Sequence, residues 1–253
     1  AWAGNDYNRD SSEGVRAALL HKFSDDWKLT LQGEYQQQTA RGAWDQNPSV
    51  DGFHNVARFG PESLEFHNRL FSLTVEGDTG IGDLIYALGY WNRADHQINE
   101  YSEYVYYQAL PLQGLTCETY SPAFTNCSAP TMYYDYHDHV ERWSQEVRLQ
   151  SKPGGTWHWT VGGYWEMTKD KYGSIYAMPG INFAGQLAVE DFANYYDPLL
   201  PPSPLPSEWY SSSSRVDDHQ VAGFGELTAD VNKKLSVVIG AREFRARHSS
   251  SSD

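Results

Sequence analysis

No run of apolar residues in this chain approaches the ~18 that a membrane-spanning helix requires, and the mean hydropathy is only −0.63. A helical anchor is excluded on that ground, but a membrane barrel is not. Barrel strands carry their apolar residues at every second position, so the average over both faces stays polar. Positive charge is also scarce: 19 Lys and Arg stand against 33 Asp and Glu, a formal net charge of −14. This excludes nucleic acid as a partner held through its phosphates. Cysteine is nearly absent, with Cys117 and Cys127 alone in a stretch rich in Pro, Ser, Thr and Tyr. The pair reads as a loop-stapling disulfide in an oxidising compartment. Two unpaired loop thiols are the alternative, and a zinc site lacks the further ligands it needs.

Chemistry-bearing motifs are missing too. There is no Gly-x-Ser-x-Gly elbow, no phosphate loop and no paired His-Glu helix motif. A hydrolase on a β scaffold needs a Ser/His pair, and Ser144 with His158 is the sole formal candidate. The expectation is a protein that is not an enzyme and takes no cofactor. The chain opens AWAGNDYNRD, without a basic segment followed by an apolar one, and closes ARHSSSSD. It is expected to be one portion of something longer.

What is plentiful is aromatic side chain, with 9 Trp, 18 Tyr and 10 Phe in 253 residues. Such loading favours strands over helices, and no 3.6-residue apolar period persists beyond a few turns. Period-two alternation does persist. In WKLTLQGEYQQ, Trp27, Leu29, Leu31, Gly33 and Tyr35 share one parity and Lys28, Thr30, Gln32, Glu34 and Gln36 the other. Trp157, Trp159, Val161, Gly163 and Trp165 repeat this against His158, Thr160, Tyr164 and Glu166. Trp143, Val147 and Leu149 oppose Arg142, Ser144, Glu146 and Arg148.

Eight such strands come as four hairpins: 13–23 with 27–37, 67–77 with 84–92, 141–150 with 157–167, and 219–231 with 235–247. Turns within hairpins are short, whereas the connections 38–66, 93–140 and 168–218 are long. A soluble sandwich does not explain long structureless connections on one side only. An outer-membrane barrel does, through short periplasmic turns and long extracellular loops. Its apolar parity faces lipid and its polar parity a wet lumen, with Trp27 and Trp157 in one aromatic girdle and Trp91, Trp165 and Tyr35 in the other.

Two hairpins carry a family resemblance. SQEVRLQS, a short turn and WHWTVGGYWE resemble a hairpin of TonB-dependent outer-membrane receptors, and so does VAGFGELTADVNKKLSVVIGAREF, with its aromatic-Gly-Glu strand and Gly-x-Arg ending. The resemblance implies an all-β fold, an antiparallel segment of a 22-stranded barrel. Residues 1–253 would form part of that barrel, without the plug domain that closes it. It implies uptake of a scarce nutrient, most often an iron–siderophore complex, across the bacterial outer membrane. The implied partners are the lipid bilayer, the protein's own plug domain and the inner-membrane TonB complex. The alternatives are a self-closed eight-stranded channel or adhesion barrel and a soluble glycan-binding β domain.

The lumen-facing set is expected to include Glu34, Glu76, Arg148, Glu166 and Arg242. For ligand capture the candidates are loop aromatics, Tyr104, Tyr106, Tyr133, Tyr134, Tyr195 and Trp209, able to stack on a glycan or aromatic chelator. The competing reading is that tyrosines extend the strands as a β ribbon and pair across it. YDYHDHVER offers Asp135, His137, Asp138 and His139, and a His-x-His step on a strand points both imidazoles to one face, which makes His137 and His139 a formal metal pair. A solvated barrel rim is the expected use of these residues. His54, His67, His96 and His219 show no partner pattern in sequence.

Overall fold

A computed structural model of the chain describes residues 8–42, 58, 60–102, 132–177 and 208–252. Eight strands follow in chain order: β1 (Arg9–Lys22), β2 (Trp27–Arg41), β3 (Ser63–Asp78), β4 (Asp83–Glu100), β5 (Tyr133–Gln150), β6 (Trp157–Ala177), β7 (Glu208–Asn232) and β8 (Leu235–Ser252). They form one antiparallel sheet in the order β1 to β8. The expected all-β architecture of four hairpins is therefore observed. β1 pairs only with β2 and β8 only with β7, so the sheet is open. A barrel self-closed at eight strands needs β1 on β8, a pairing not found among the described residues.

The turn-side ends match the alternation to within about a residue, because turn chemistry is local. Gly80 takes φ 87 and its N–H donates to Asp78 Oδ1 at 2.6 Å. Gly154 and Gly155 take φ 98 and 97 in the Pro-Gly-Gly turn. The loop-side ends run further than expected, with β5 starting at Tyr133 rather than 141 and β6 ending at Ala177 rather than 167. The apolar alternation stops earlier, but backbone ladder bonds do not depend on side-chain polarity. Polar residues thus continue the strands as a ribbon.

Register keeps one parity together across the sheet. Trp27 is opposite Gly77, and that row continues through Leu84, Leu149, Val161 and Gly225 to Ala241. On this face lie Val15, Leu19, Leu31, Leu73, Val75, Leu88, Val147, Trp159, Val221, Leu227 and Ile239. Many are open to the surroundings, among them Val161 at 51 %, Trp157 at 61 % and Ile239 at 71 %. Among the described residues only Ala40, Met132, Val140 and Ala222 are buried hydrophobics. Among the described residues no second layer covers the apolar face.

The apolar stretch also drifts. It runs from Trp27 to Tyr35 on β2 but ends at Ala241 on β8, so the row that opens the band on β2 closes it on β8. From β2 to β5 its turn-side limit stays in one row, through Trp27, Gly77, Leu84 and Leu149, and beyond β5 it steps toward the turns, to Trp157 on β6, Val231 on β7 and Leu235 on β8.

One expected position is corrected. Trp91 is not on the apolar face: it pairs with Leu70 and Arg142 on the polar face, and its Nε1 donates to Asn68 Oδ1 at 2.5 Å. Parity decides this, since Trp91 follows Tyr90, whose row holds Phe71 and Trp143.

Aromatic rings lie across glycines of neighbouring strands. A Cβ at Gly162 would meet the Phe224 ring and stand 2.7 Å from the Val147 carbonyl oxygen, whereas at Gly223 nothing lies within 4 Å. Gly162→Val is expected to cost about 1–3 kcal/mol and lower the unfolding temperature, while Gly223→Ala leaves it unchanged. Thermal unfolding followed by circular dichroism in detergent measures both.

Candidate functional site

The polar face is laced with charge. Near the turns Lys28 pairs with Glu76 at 3.0 Å, and Arg148 with Glu146 at 3.7 Å. Further along, Arg142 Nε donates to Glu166 Oε2 at 2.9 Å, Tyr164 donates to the same carboxylate, and Arg242 lies over the Tyr164 ring at 5.4 Å. Register puts Glu34, Glu76, Arg148, Glu166 and Arg242 on this one face.

Beyond the end of the apolar band the same face gathers into a site. Arg93 on β4 bonds Asp138 on β5 and approaches Asp95 at 3.2 Å. Asp170 on β6 stands opposite Val140, one pair from Asp138. Three carboxyls thus share one guanidinium, and Asp138 is only 6 % exposed. The Oδ1 atoms of Asp138 and Asp170 are enclosed without a hydrogen-bond partner, and that of Asp95 faces Arg93 Nε. Burial, reinforced by a hydrogen bond and repulsion from Asp138, pushes the Asp170 carboxyl up to about 6. A bond between two carboxyls requires one proton between them. Burial also raises Asp95, against the attraction of Arg93.

Tyrosines cap this acidic patch. Tyr134 is opposite Tyr176, ring centroids 4.9 Å apart, and lies 5.9 Å from Tyr136 and 6.0 Å from Tyr101. Burial, with Asp138 next, pushes the Tyr136 phenol up to about 12. The arrangement offers aromatic faces for stacking above carboxylate oxygens that accept hydrogen bonds or meet a cation.

Of the aromatics expected to capture ligand, Tyr134 belongs to this cluster. Tyr133 has the opposite parity and sits where a Cβ on Gly60 would be. It borders a latch of buried groups: Met132 N–H donates to Ser102 Oγ at 3.0 Å, Ser102 N–H to Glu100 Oε1 at 2.7 Å, and Glu100 N–H to Glu62 Oε1 at 3.2 Å. Trp209 lies at the loop-side end of β7. Tyr104, Tyr106, Tyr195 and the cysteines Cys117 and Cys127 fall outside the described residues, so the expected disulfide finds no support here. The expected ribbon pairing is seen between Tyr134 and Tyr176, opposite each other on β5 and β6, while Tyr136 is opposite Ser174 and stacks on Tyr134 within β5.

Ser144 is opposite Glu166, while His158 is opposite Thr228 near the turn and bonds Asp230 at 3.1 Å. The formal Ser/His pair is not assembled. The His-x-His step divides: His139 Nε2 is 3.3 Å from Asn92 Nδ2, whereas His137 stacks on His96 across the strand pair. Arg93, Asp95 and Asp170 were not foreseen. Carrying the parity of Arg142 and Ser144 back through YDYHDH would have put Tyr134, Tyr136 and Asp138 on their face.

No family model matches this chain, and no curated protein matches it in sequence. Among solved structures it is similar to the crystal structure of the ferric yersiniabactin uptake receptor FyuA from Yersinia pestis, with a TM-score of 0.62 at 12 % identity. The match covers 97 % of this chain and 31 % of that one, so the chain spans under a third of its neighbour's length. The likeness is one of fold: an open eight-stranded stretch of β-barrel wall.

Asp170 makes stability pH-dependent in a defined direction. Its carboxyl titrates near 3.8 when unfolded and at about 6 when folded, so its charging opposes folding. Stability is undiminished below 3.8 and falls as pH rises through about 6. Asp170→Asn is expected to raise the unfolding temperature at pH 7.5 and to leave it nearly unchanged at pH 4.5, as read by thermal melts at both values. Arg93→Met is expected to destabilise by about 1–3 kcal/mol by leaving Asp138 uncompensated. Pairing it with Asp138→Asn recovers part of the loss in the same melts.

Proposed function

We propose that this chain is a section of the wall of an outer-membrane barrel of the TonB-dependent receptor kind, acting in uptake of a scarce nutrient such as a ferric siderophore. The observation that carries the membrane reading is the oblique apolar band, exposed on one face of a single-layer sheet. Tilted strands crossing a planar hydrocarbon slab produce a band that shifts along them from strand to strand, as this one does from β5 to β8. The band spans about five alternate positions on β2, matching the ~9–11 residues a tilted strand needs to cross.

The opposite face, with Glu34, Glu76, Arg148, Glu166 and Arg242, then lines a wet lumen against a plug domain. Unpaired edges in lipid cost several kcal/mol per exposed backbone group, so β1 and β8 require further strands beside them. The tyrosine and carboxylate cluster, beyond the band on the lumen-facing parity, is placed to meet a ligand entering from outside. Likeness to part of a ferric siderophore uptake receptor supports this reading at the level of fold. Energy from an inner-membrane TonB complex is part of the proposal.

Two measurements test it. Val147→Lys on the band is expected to cost about 2–4 kcal/mol and cut assembly into the outer membrane, whereas Ser144→Lys on the other face assembles normally. Equal assembly of the two, read by membrane fractionation, removes the barrel reading. Uptake of radiolabelled ferric siderophores by cells lacking the protein is expected to fall to the level of cells lacking TonB. Undiminished uptake of every chelate in the panel rejects siderophore transport.

A further inference from the structure

On the outward parity, beyond the band, three side chains of metal-ligating type converge. His96 of β4 and His137 of β5 are directly opposite in register. Asp135 precedes His137 by two residues and so shares its face. His96 Nε2 lies 2.8 Å from Asp135 Oδ1, and His137 Nε2 lies 3.1 Å from the same oxygen. The two imidazoles stack nearly parallel, centroids 4.2 Å apart at 13°, so a turn of one ring about its Cβ–Cγ bond aims both nitrogens at a single ion. All three donor atoms fall within 4.8 Å of one another.

These separations match the edges of a coordination polyhedron. Ligands held ~2.0–2.1 Å from one zinc ion stand ~3.0 Å apart at right angles and ~3.4 Å apart at the tetrahedral angle. Two imidazole nitrogens with one carboxylate oxygen suit zinc, copper or nickel, and do not suit magnesium or calcium, which take oxygen. We propose that His96, Asp135 and His137 form a binding site for a divalent transition-metal ion on the outward face of the strands beyond the membrane. The ladder of β4 and β5 fixes the backbone positions from which the ligands reach. Glu65 of β3 is directly opposite His96 on the same face and exposed, within reach of a fourth coordination position. Asp135 and Glu65 together balance the charge of the ion, and water completes the shell on the open side of His137, whose side chain is 58 % exposed. The site is separate from the lumen-facing cluster and does not rest on the uptake reading.

The test uses the full-length protein in detergent, stripped with a chelator and titrated with zinc chloride by calorimetry at pH 7.5. The variants are His96→Ala, His137→Ala, the two combined, and Glu65→Gln. His139→Ala is the control, since its imidazole faces Asn92 and Glu141. Wild type is expected to bind one ion more than the double variant. Either single His substitution weakens that site at least ~30-fold, and Glu65→Gln ~3-fold. His139→Ala changes nothing. Affinity falls as pH is lowered, because the ligating imidazoles must be unprotonated. Cu(II) paramagnetic resonance is expected to show two equatorial nitrogens in wild type and one in each single His variant. Circular dichroism of each variant verifies an intact sheet, which these exposed positions on paired strands should preserve. Identical stoichiometry and affinity in wild type and the double variant, or nitrogen couplings unchanged by it, overturn the proposal.

Discussion

Seven antiparallel interfaces hold a single parity in register from β1 to β8, and everything else in this protein depends on that constraint. A slip of one residue at any interface would carry charges into the apolar band and apolar residues into the polar face. The four buried hydrophobics among the described residues provide almost no core to resist such a slip. Specificity comes instead from the turns, which set each hairpin, and from cross-strand pairs such as Lys28 with Glu76 or Tyr90 with Trp143, centroids 4.4 Å apart.

Within that register the two faces do different work. The apolar face is uniform in chemistry and shifts along the strands from β5 to β8, as suits strands inclined to a planar medium. The polar face is graded. Cross-strand ion pairs near the turns give way to the crowded Arg93, Asp95, Asp138 and Asp170, and then to the tyrosines 134, 136 and 176. Carboxylates outnumber cations where enclosure is greatest, so Asp170 holds a proton at weakly acid pH. Such a group responds both to pH and to any donor or cation that enters.

On the loop side the strands outlast the band, and a different device holds them. Glu62, Glu100, Ser102 and Met132 are buried in a latch of side chain to backbone bonds linking the start of β3, the end of β4 and the start of β5. Tyr133 closes over Gly60 beside it. The latch fixes where the ribbon carrying Tyr134 begins, so the aromatic cluster is positioned by polar contacts that carry no periodicity.

Alternation and turn residues alone determined the class, the hairpin pairing and which residues share a face, because strand parity is a local property with period two. Glu34, Glu76, Arg148, Glu166 and Arg242 could be grouped from sequence for this reason, as could the exclusion of a helical span. Only the tertiary structure decided how far strands extend once both parities turn polar, since ladder bonds leave no hydrophobic trace. It also decided which residues meet across strands. His96 has no signal in its own segment, yet register brings it onto His137 and Asp135; Asp170 meets Asp138 from more than thirty residues away. Cross-strand neighbours are set by where each strand stops and its partner starts, and that information lies in pairing rather than in any one stretch of chain.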